Sequence, residues 1–273
     1  MLNDELLAAF LHHLALPTTG TPEQLLQATL RGFARIPYEN LTKIIAHAES
    51  SNDHHRQSPE DIIQGFIRDG TGGTCFPLTQ TLVRFLKALG FEAAPILADR
   101  RYGSDTHCAA LVALTPSSRH LIDPGYLIHT PCLLPNSSSI AGLALRYALA
   151  HGAIELRPTD TPERVDLYTI PSAVTQHTAT PRYRLTYKTT PVDPESFNRA
   201  WERSFSWEMM TYPIVSAVIN DRHIYLQKKN LLVRSASEST RFTVTADTLV
   251  SELAPKLGIS AEVLRRALSY TEK

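Results

Sequence analysis

The sequence predicts an α+β fold in which helices come first, strands follow and a mixed segment closes the chain. Three observations carry this. Apolar residues recur at a helical period through the first ninety residues, with cap signals at the first three starts. After Gly90 the pattern changes to short β-rich runs separated by turns. Beyond Asp247 helical spacing returns, with no long Gly/Ser linker and no internal repeat. The 273 residues allow one large or two to three small units, at about 150 residues per domain.

The elements follow in order. Asn3 can cap a helix through about Leu14, with Asp4 and Glu5 in the first turn where the helix dipole favours anions. Thr21-Pro22-Glu23-Gln24 is a capping box with Pro at the first helical position, followed by Leu25, Leu26, Leu30 and Phe33 at a period near 3.6. Ser58-Pro59-Glu60-Asp61 opens a third helix with Ile62, Ile63, Phe66 and Ile67 as its buried stripe, and a fourth runs from about Cys75 to Ala88 before Gly90. Candidate strands are 92–98, 107–114, 120–122, 153–156, 165–170, 182–189, 214–219, 223–227, 231–234 and 241–244, with Asn220-Asp221 as a tight hairpin turn. Pro191–Asn198 breaks the strand pattern ahead of the aromatic stretch Trp201 to Trp207. Asp247 and Ser260 can cap two final helices.

Composition narrows the function. Lys plus Arg number 27 and Asp plus Glu 27, for a net charge of zero, which argues against a nucleic-acid binder or a membrane-surface protein. Three cysteines, none spaced C-x-x-C, exclude a disulfide framework and a usual structural zinc site and fit a reducing compartment. Two acids precede the first apolar run, where a signal peptide carries basic residues, and no apolar stretch is long enough to span a bilayer. The expectation is a cytoplasmic protein without metal.

Cys75 carries the chemistry. It follows Gly72-Gly73-Thr74 at a helix start, where free N–H groups and the dipole stabilise a thiolate. The bland alternative is a small buried hydrophobe. His107 opens one strand and Asp123 ends the next, so neighbouring antiparallel strands could bring them together at one rim. Taken singly, His107 is a polar strand-end residue and Asp123 a turn residue capping its own backbone. Together with Cys75 they supply the roles of a cysteine acyl-transfer triad. Cys108, next to His107 on a strand, is expected to face away from the site, and Cys132 falls in a Pro-rich turn region without a base. Asp53-His54-His55 reads as a solvated loop.

At these residues the sequence resembles the arylamine N-acetyltransferases. Ile36-Pro37-Tyr38-Glu39-Asn40-Leu41 is similar to the family's V-P-F-E-N-L, Gly72-Gly73-Thr74-Cys75-Phe76 to the core of R-G-G-x-C, and Leu121-Ile122-Asp123-Pro124-Gly125-Tyr126 to L-V-D-V-G-F. Asp221–Arg234 resembles the lid hairpin, and Leu253 to Ser260 the closing helix and turn. The resemblance implies a helical bundle over 1–90 carrying the nucleophile, an antiparallel β-barrel over 91–195 carrying His and Asp, and an α/β lid over 196–273, with a cysteine-proteinase-like core. It implies Cys75 as nucleophile, His107 as base and acid, and Asp123 as the orienting carboxylate. Phe76, Tyr126, Gly125 and Tyr38 are the candidate substrate-binding residues, though Phe76 also reads as core. Trp201, Phe205 and Trp207 could line an aromatic acceptor pocket, and Arg100, Arg101, Lys228 and Lys229 are candidates for coenzyme A phosphates.

The sequence departs from the family around the nucleophile: Thr71 replaces an Arg, Pro77 a Glu and Thr79 an Asn, so the loop must be braced differently. The implied activity moves an acetyl or other acyl group from acetyl-CoA, or another acyl-CoA, through a Cys-linked acyl-enzyme to a small-molecule amine. Alternatives are an amide synthase-like enzyme using a longer acyl thioester on CoA or an acyl carrier protein, a transglutaminase- or protease-like Cys–His–Asp hydrolase, and a non-catalytic binding protein on a decayed enzyme.

Overall fold

The computed structural model describes residues 4–17, 19–49, 56–115, 118–135, 143–150, 152–171 and 180–271. The Asn3 cap and the Asp53-His54-His55 loop lie outside the described residues.

The N-terminal helices are α1 (Asp4–His13), α2 (Pro22–Phe33), α3 (Leu41–Glu49), α4 (Pro59–Asp69) and α5 (Cys75–Ala88), with a two-residue strand β1 (Tyr38–Glu39) before α3. The two capping boxes form: Thr21 with Gln24, and Ser58 with Asp61. The apolar stripes of α1, α2, α4 and α5 (Phe10, Leu30, Ile63, Phe85) make one core with Ala110, Val112 and Ile122 of the adjoining sheet. Sequence reasoning missed α3. Its face joins a different core, since Leu41 and Ile45 pack under the C-terminal sheet.

Eight antiparallel strands follow: β2 (Glu92–Arg100), β3 (Gly103–Thr115), β4 (Ser118–Asp123), β5 (Ile128–Leu133), β6 (Leu145–Leu149), β7 (Gly152–Pro158), β8 (Arg164–Pro171) and β9 (Arg182–Lys188). Their order is β5-β4-β3-β2-β9-β8-β7-β6. The sheet curls into a nearly closed barrel, and Tyr147 Oη of β6 donates to Leu133 O of β5 at 3.0 Å across the seam. Alternate residues point inward, among them Ile96, Ala109, Leu121, Leu167 and Tyr187. The edge strands β5 and β6 were not foreseen. Pro131 sits in β5, and an edge strand tolerates a residue that cannot donate to a ladder. Cys132, expected in a turn, is buried in β5 among barrel residues.

The C-terminal part begins with α6 (Pro194–Arg203), where Asp193 accepts the Ser196 N–H at 2.8 Å. Asp193-Pro194-Glu195 carries the signal of that cap, an N-cap acid followed by Pro at the first helical position, within the segment expected only to break the strand pattern. A second sheet runs β1-β10-β11-β12-β13, with β10 (Ile214–Ile219), β11 (Arg222–Gln227), β12 (Asn230–Arg234) and β13 (Ser239–Thr243). Asn220 and Asp221 both adopt left-handed φ, 49° and 59°, as a tight hairpin turn requires. The chain closes with α7 (Ala246–Thr248), α8 (Ala254–Leu257) and α9 (Ala261–Thr271). Thr245, not Asp247, caps α7. The turn between α7 and α8 widens ahead of Pro255, which has no N–H to continue an α-helical ladder.

The pair Glu39-Asn40 locks the two ends of the chain together. Asn40 Nδ2 donates to Met209 O and Tyr212 O at 2.5 and 2.9 Å, and Asn40 Oδ1 accepts the Ile214 N–H at 2.7 Å. Asn40 has no exposed surface, so truncation leaves these backbone groups short of partners. Asn40→Ala is expected to lower unfolding stability by about 2–4 kcal/mol, three buried hydrogen bonds at their usual net worth plus some desolvation. Equilibrium denaturation checks this; an unchanged midpoint would show that the lock contributes nothing.

Candidate active site

The loop before α5 lies flat on the segment 36–39. Glu39 N donates to Gly73 O at 3.0 Å, and Gly72 N donates to the buried Glu39 carboxylate at 3.2 Å. A Cβ on Gly72 would stand 1.9 Å from Pro37 O, so only glycine permits this approach. Thr74, the residue before α5, gives it no side-chain cap, Pro77 has no N–H, and Leu78 N bonds Thr74 O. The first-turn N–H groups of Cys75 and Phe76 are therefore open to a ligand.

His107, expected to open its strand, lies within β3 opposite Ala98 of β2, because the polar turn residues from Gly103 onward also pair with β2, and Asp123 ends β4. His107 Nε2 donates to Asp123 Oδ2 at 2.6 Å. Tyr187 Oη, from β9, donates to the same oxygen at 2.6 Å, and Asp123 Oδ1 accepts the Tyr126 N–H at 3.0 Å. Asp123 thus caps its own turn and holds the imidazole at once. Gly125 closes the group: a Cβ there would come within 2.7 Å of His107 Cε1, 2.9 Å of Cys75 Cβ and 3.2 Å of Asp123 Oδ1. The structure brings Cys75, His107, Asp123 and Gly125 into one cluster, with Cys75 only 4% exposed and both His107 and Asp123 fully buried.

The electrostatics favour a thiolate. The Cys108 thiol's hydrogen bond, then the charge and hydrogen bond of His107 and the charge of Arg100, outweigh burial and hold Cys75 well below the ordinary thiol range. Burial works against a charged His107, but Asp123 and the Cys75 sulfur prevail and raise it to about 9. Cys108 corrects an expectation. It does face away from His107, yet the helix side of β3 is where α5 packs, so it lies beside Cys75 and hydrogen-bonds Thr79 at 3.5 Å. Strand alternation separates neighbours by face but says nothing of which face the nucleophile approaches.

A cleft of about 440 Å³ adjoins the cluster, lined by Tyr38, Gly125, Tyr126, Arg100, Arg184 and Arg234 among others. A connected space of about 240 Å³ adds Arg182 and Arg241. Neither is lined by a described Asp or Glu. Arg184 and Arg234 come from β9 and β12, and spacing along the sequence could not have placed them together. Arg234 is oriented by His223: its Nε donates to His223 Nδ1 at 2.9 Å, and His223 Nε2 lies 2.8 Å from Ser216 Oγ. Burial and the neighbouring Arg184 charge lower the pKa of Arg234.

Several sequence candidates lie elsewhere. Phe76 is fully buried, stacked on Trp201 with centroids 6.2 Å apart and edge-on to Phe197, so it packs the core instead of lining the cleft. Trp201 and Phe205 join the same cluster. Of the proposed phosphate ligands only Arg100 lines the cleft. Arg101 stacks over Tyr183, Lys228 pairs with Glu208, and Lys229 is exposed. Among the described residues no group of three His, Cys, Asp or Glu could hold a metal ion, and no helix is long and apolar enough to cross a membrane.

A family model described as N-acetyltransferase matches residues 22–265. The chain belongs to this family, and is an acetyltransferase of the arylamine N-acetyltransferase type. No curated protein matches it. Among solved structures, the arylamine N-acetyltransferase from Mycobacterium abscessus is 19% identical, with 99% of this chain and 96% of that chain covered and a TM-score of 0.78. The Mycobacterium marinum enzyme, solved in complex with CoA, is 15% identical, with 97% and 98% covered and a TM-score of 0.78. A Bacillus cereus enzyme described as having a Cys-His-Glu triad is 20% identical, with 94% and 99% covered and a TM-score of 0.70.

Two outcomes are expected. The depressed Cys75 pKa means that thiolate persists as pH falls, so iodoacetamide labelling of Cys75 should stay nearly flat from pH 9 to 7, where a free thiol slows about 25-fold in all. Labelling that tracks a free thiol would remove the activated nucleophile. Gly125→Ala should abolish this reactivity while the far-ultraviolet circular dichroism stays unchanged, because the added methyl displaces Cys75 from His107.

Proposed function

We propose that the protein transfers an acyl group, acetyl in the simplest case, from a CoA thioester to a small-molecule amine through an acyl-Cys75 intermediate. The observation that carries this is the buried Cys75–His107–Asp123 cluster at a helix start, opening on a cleft lined by arginine without acid. Asp123 fixes His107 through Nε2, which leaves Nδ1 toward Cys75. The Cys75 thiolate attacks the thioester carbonyl, and the C–S bond to CoA breaks. The CoA thiolate takes the proton held on His107 Nδ1. The open N–H groups of Cys75 and Phe76 are the candidate donors to the tetrahedral oxyanion.

In the second half-reaction the amine attacks the Cys75 thioester. The new C–N bond forms, the C–S bond breaks, the sulfur leaves as thiolate, and the nitrogen's proton passes to His107 Nδ1. Tyr38, Gly125 and Tyr126 border the cleft where these partners would meet. Arg184, Arg234 and Arg241 make no ion pair with a described carboxylate, and so suit the phosphates of CoA. The M. marinum complex, in which a relative of the same fold holds CoA, supports that donor.

Intact mass spectrometry after mixing with acetyl-CoA alone tests the reading. A single acetyl adduct is expected that vanishes in Cys75→Ala; a lasting adduct in that variant, or none in the native protein with acetyl-CoA or longer acyl-CoA donors, would defeat it. An adduct with longer acyl thioesters only would redirect the reading to the amide synthases. His107→Gln should cut turnover about 10²–10⁴-fold with the fold intact, and near-normal turnover would remove His107 from the mechanism.

A further inference from the structure

Arg100 stands between the cleft and the general base. Its Nη2 lies 3.2 Å from His107 Nδ1, and its Nη1 donates to Tyr102 Oη at 2.7 Å. Tyr102 and Tyr126 flank the guanidinium, their centroids 5.9 and 5.6 Å away. Its Nε is buried and has no hydrogen-bond partner, and no described carboxylate pairs with it. A guanidinium only donates, so once the first half-reaction has taken the Nδ1 proton, this contact can occupy the lone pair that the second half-reaction needs. With Arg100 seated there, the base cannot take the proton of an attacking amine.

We propose, resting on the acyl-transfer reading, that one of the two organic groups brought to Cys75 carries a carboxylate, which Arg100 binds and which draws Arg100 off His107. A carboxylate accepts from Nε and one terminal nitrogen together, a paired arrangement stronger than a single bond to a neutral imidazole. The buried Nε supplies the half of that fork now without a partner. Binding then selects the substrate and frees the base in one movement. The C–N bond forms, the C–S bond to Cys75 breaks, and the amine proton goes to the vacated Nδ1. The phosphates of CoA are separated from the thioester by the whole pantetheine arm. The anion beside His107 therefore belongs to the acceptor or to the acyl group. Arg100 is a positioning and specificity residue, acting on the reaction through His107.

Paired substrates test this. One arm compares 4-aminobenzoate with 4-methylaniline, using acetyl-CoA. The other compares succinyl-CoA with butyryl-CoA, using 4-methylaniline. In one arm the carboxylated partner should win by about tenfold to a hundredfold in kcat/KM, the worth of a charged hydrogen-bonded pair. Arg100→Gln should bring that ratio near one and raise turnover of the wholly neutral pair, a gain that mere loss of packing would not give. Arg100→Lys, which keeps the charge without the fork, should retain part of the preference and guards against misfolding of the glutamine variant. The arm that responds identifies which partner bears the carboxylate. No preference in either arm, or a preference that survives both substitutions, overturns the inference. Formation of the Cys75 adduct is read first by intact mass. An adduct without charge preference leaves acyl transfer standing and removes only the role of Arg100, whereas no adduct from any of these donors removes both.

Discussion

A carboxylate without exposed surface is stable only if its oxygens are met by donors, and Asp123 meets that demand from three directions. The His107 ring comes from β3, the Tyr187 hydroxyl from β9, and the Tyr126 N–H from the turn that follows Asp123 itself. The Tyr187 contact ties β9 to β4, which are not neighbours in the sheet, and the three contacts together draw the barrel's rim to one point. Removing one donor from such a group leaves polar atoms stranded in a dry interior. The imidazole is therefore held by the same interaction that makes the buried carboxylate tolerable, and the reactive geometry and the rim's stability share one cause.

The second support lies far from the first in sequence. Glu39 holds the loop before Cys75 through Gly72, while Asn40 holds the 209–214 segment. Burial pushes the Glu39 pKa up against its bonds to Thr42 and Gly72. The loop is thus braced from the side, by β1, where the related family places charged and amide residues on the loop and helix. Pro77 packs over Gly73, and Thr79 Oγ1 lies 3.5 Å from the Cys108 sulfur. A helix start relieved of its own side-chain cap keeps its N–H groups open.

Much of this was written in local patterns. The boxes at Thr21 and Ser58, the Asn220-Asp221 turn and most strand centres were legible because short-range chemistry decides them. The failures share a physical origin. Strands β5 and β6 are short edges whose pairing depends on barrel closure, and α3 is stabilised by the C-terminal sheet. Phe76 reads equally well as a pocket wall or as core until Trp201 is seen stacked on it. The placement of Cys108 beside Cys75 needed the packing of a helix on a strand.

By itself the sequence determined the α+β order, the helix start that carries Cys75, and the strand end that carries Asp123, because each rests on neighbours within a few residues. Only the tertiary structure decided what surrounds them: the Tyr187 hydroxyl on Asp123, Arg100 on His107, and the acid-free cleft built from Arg184 and Arg234. These contacts join residues from separate strands. Their meeting is fixed by sheet order, barrel curvature and burial, which no local spacing records.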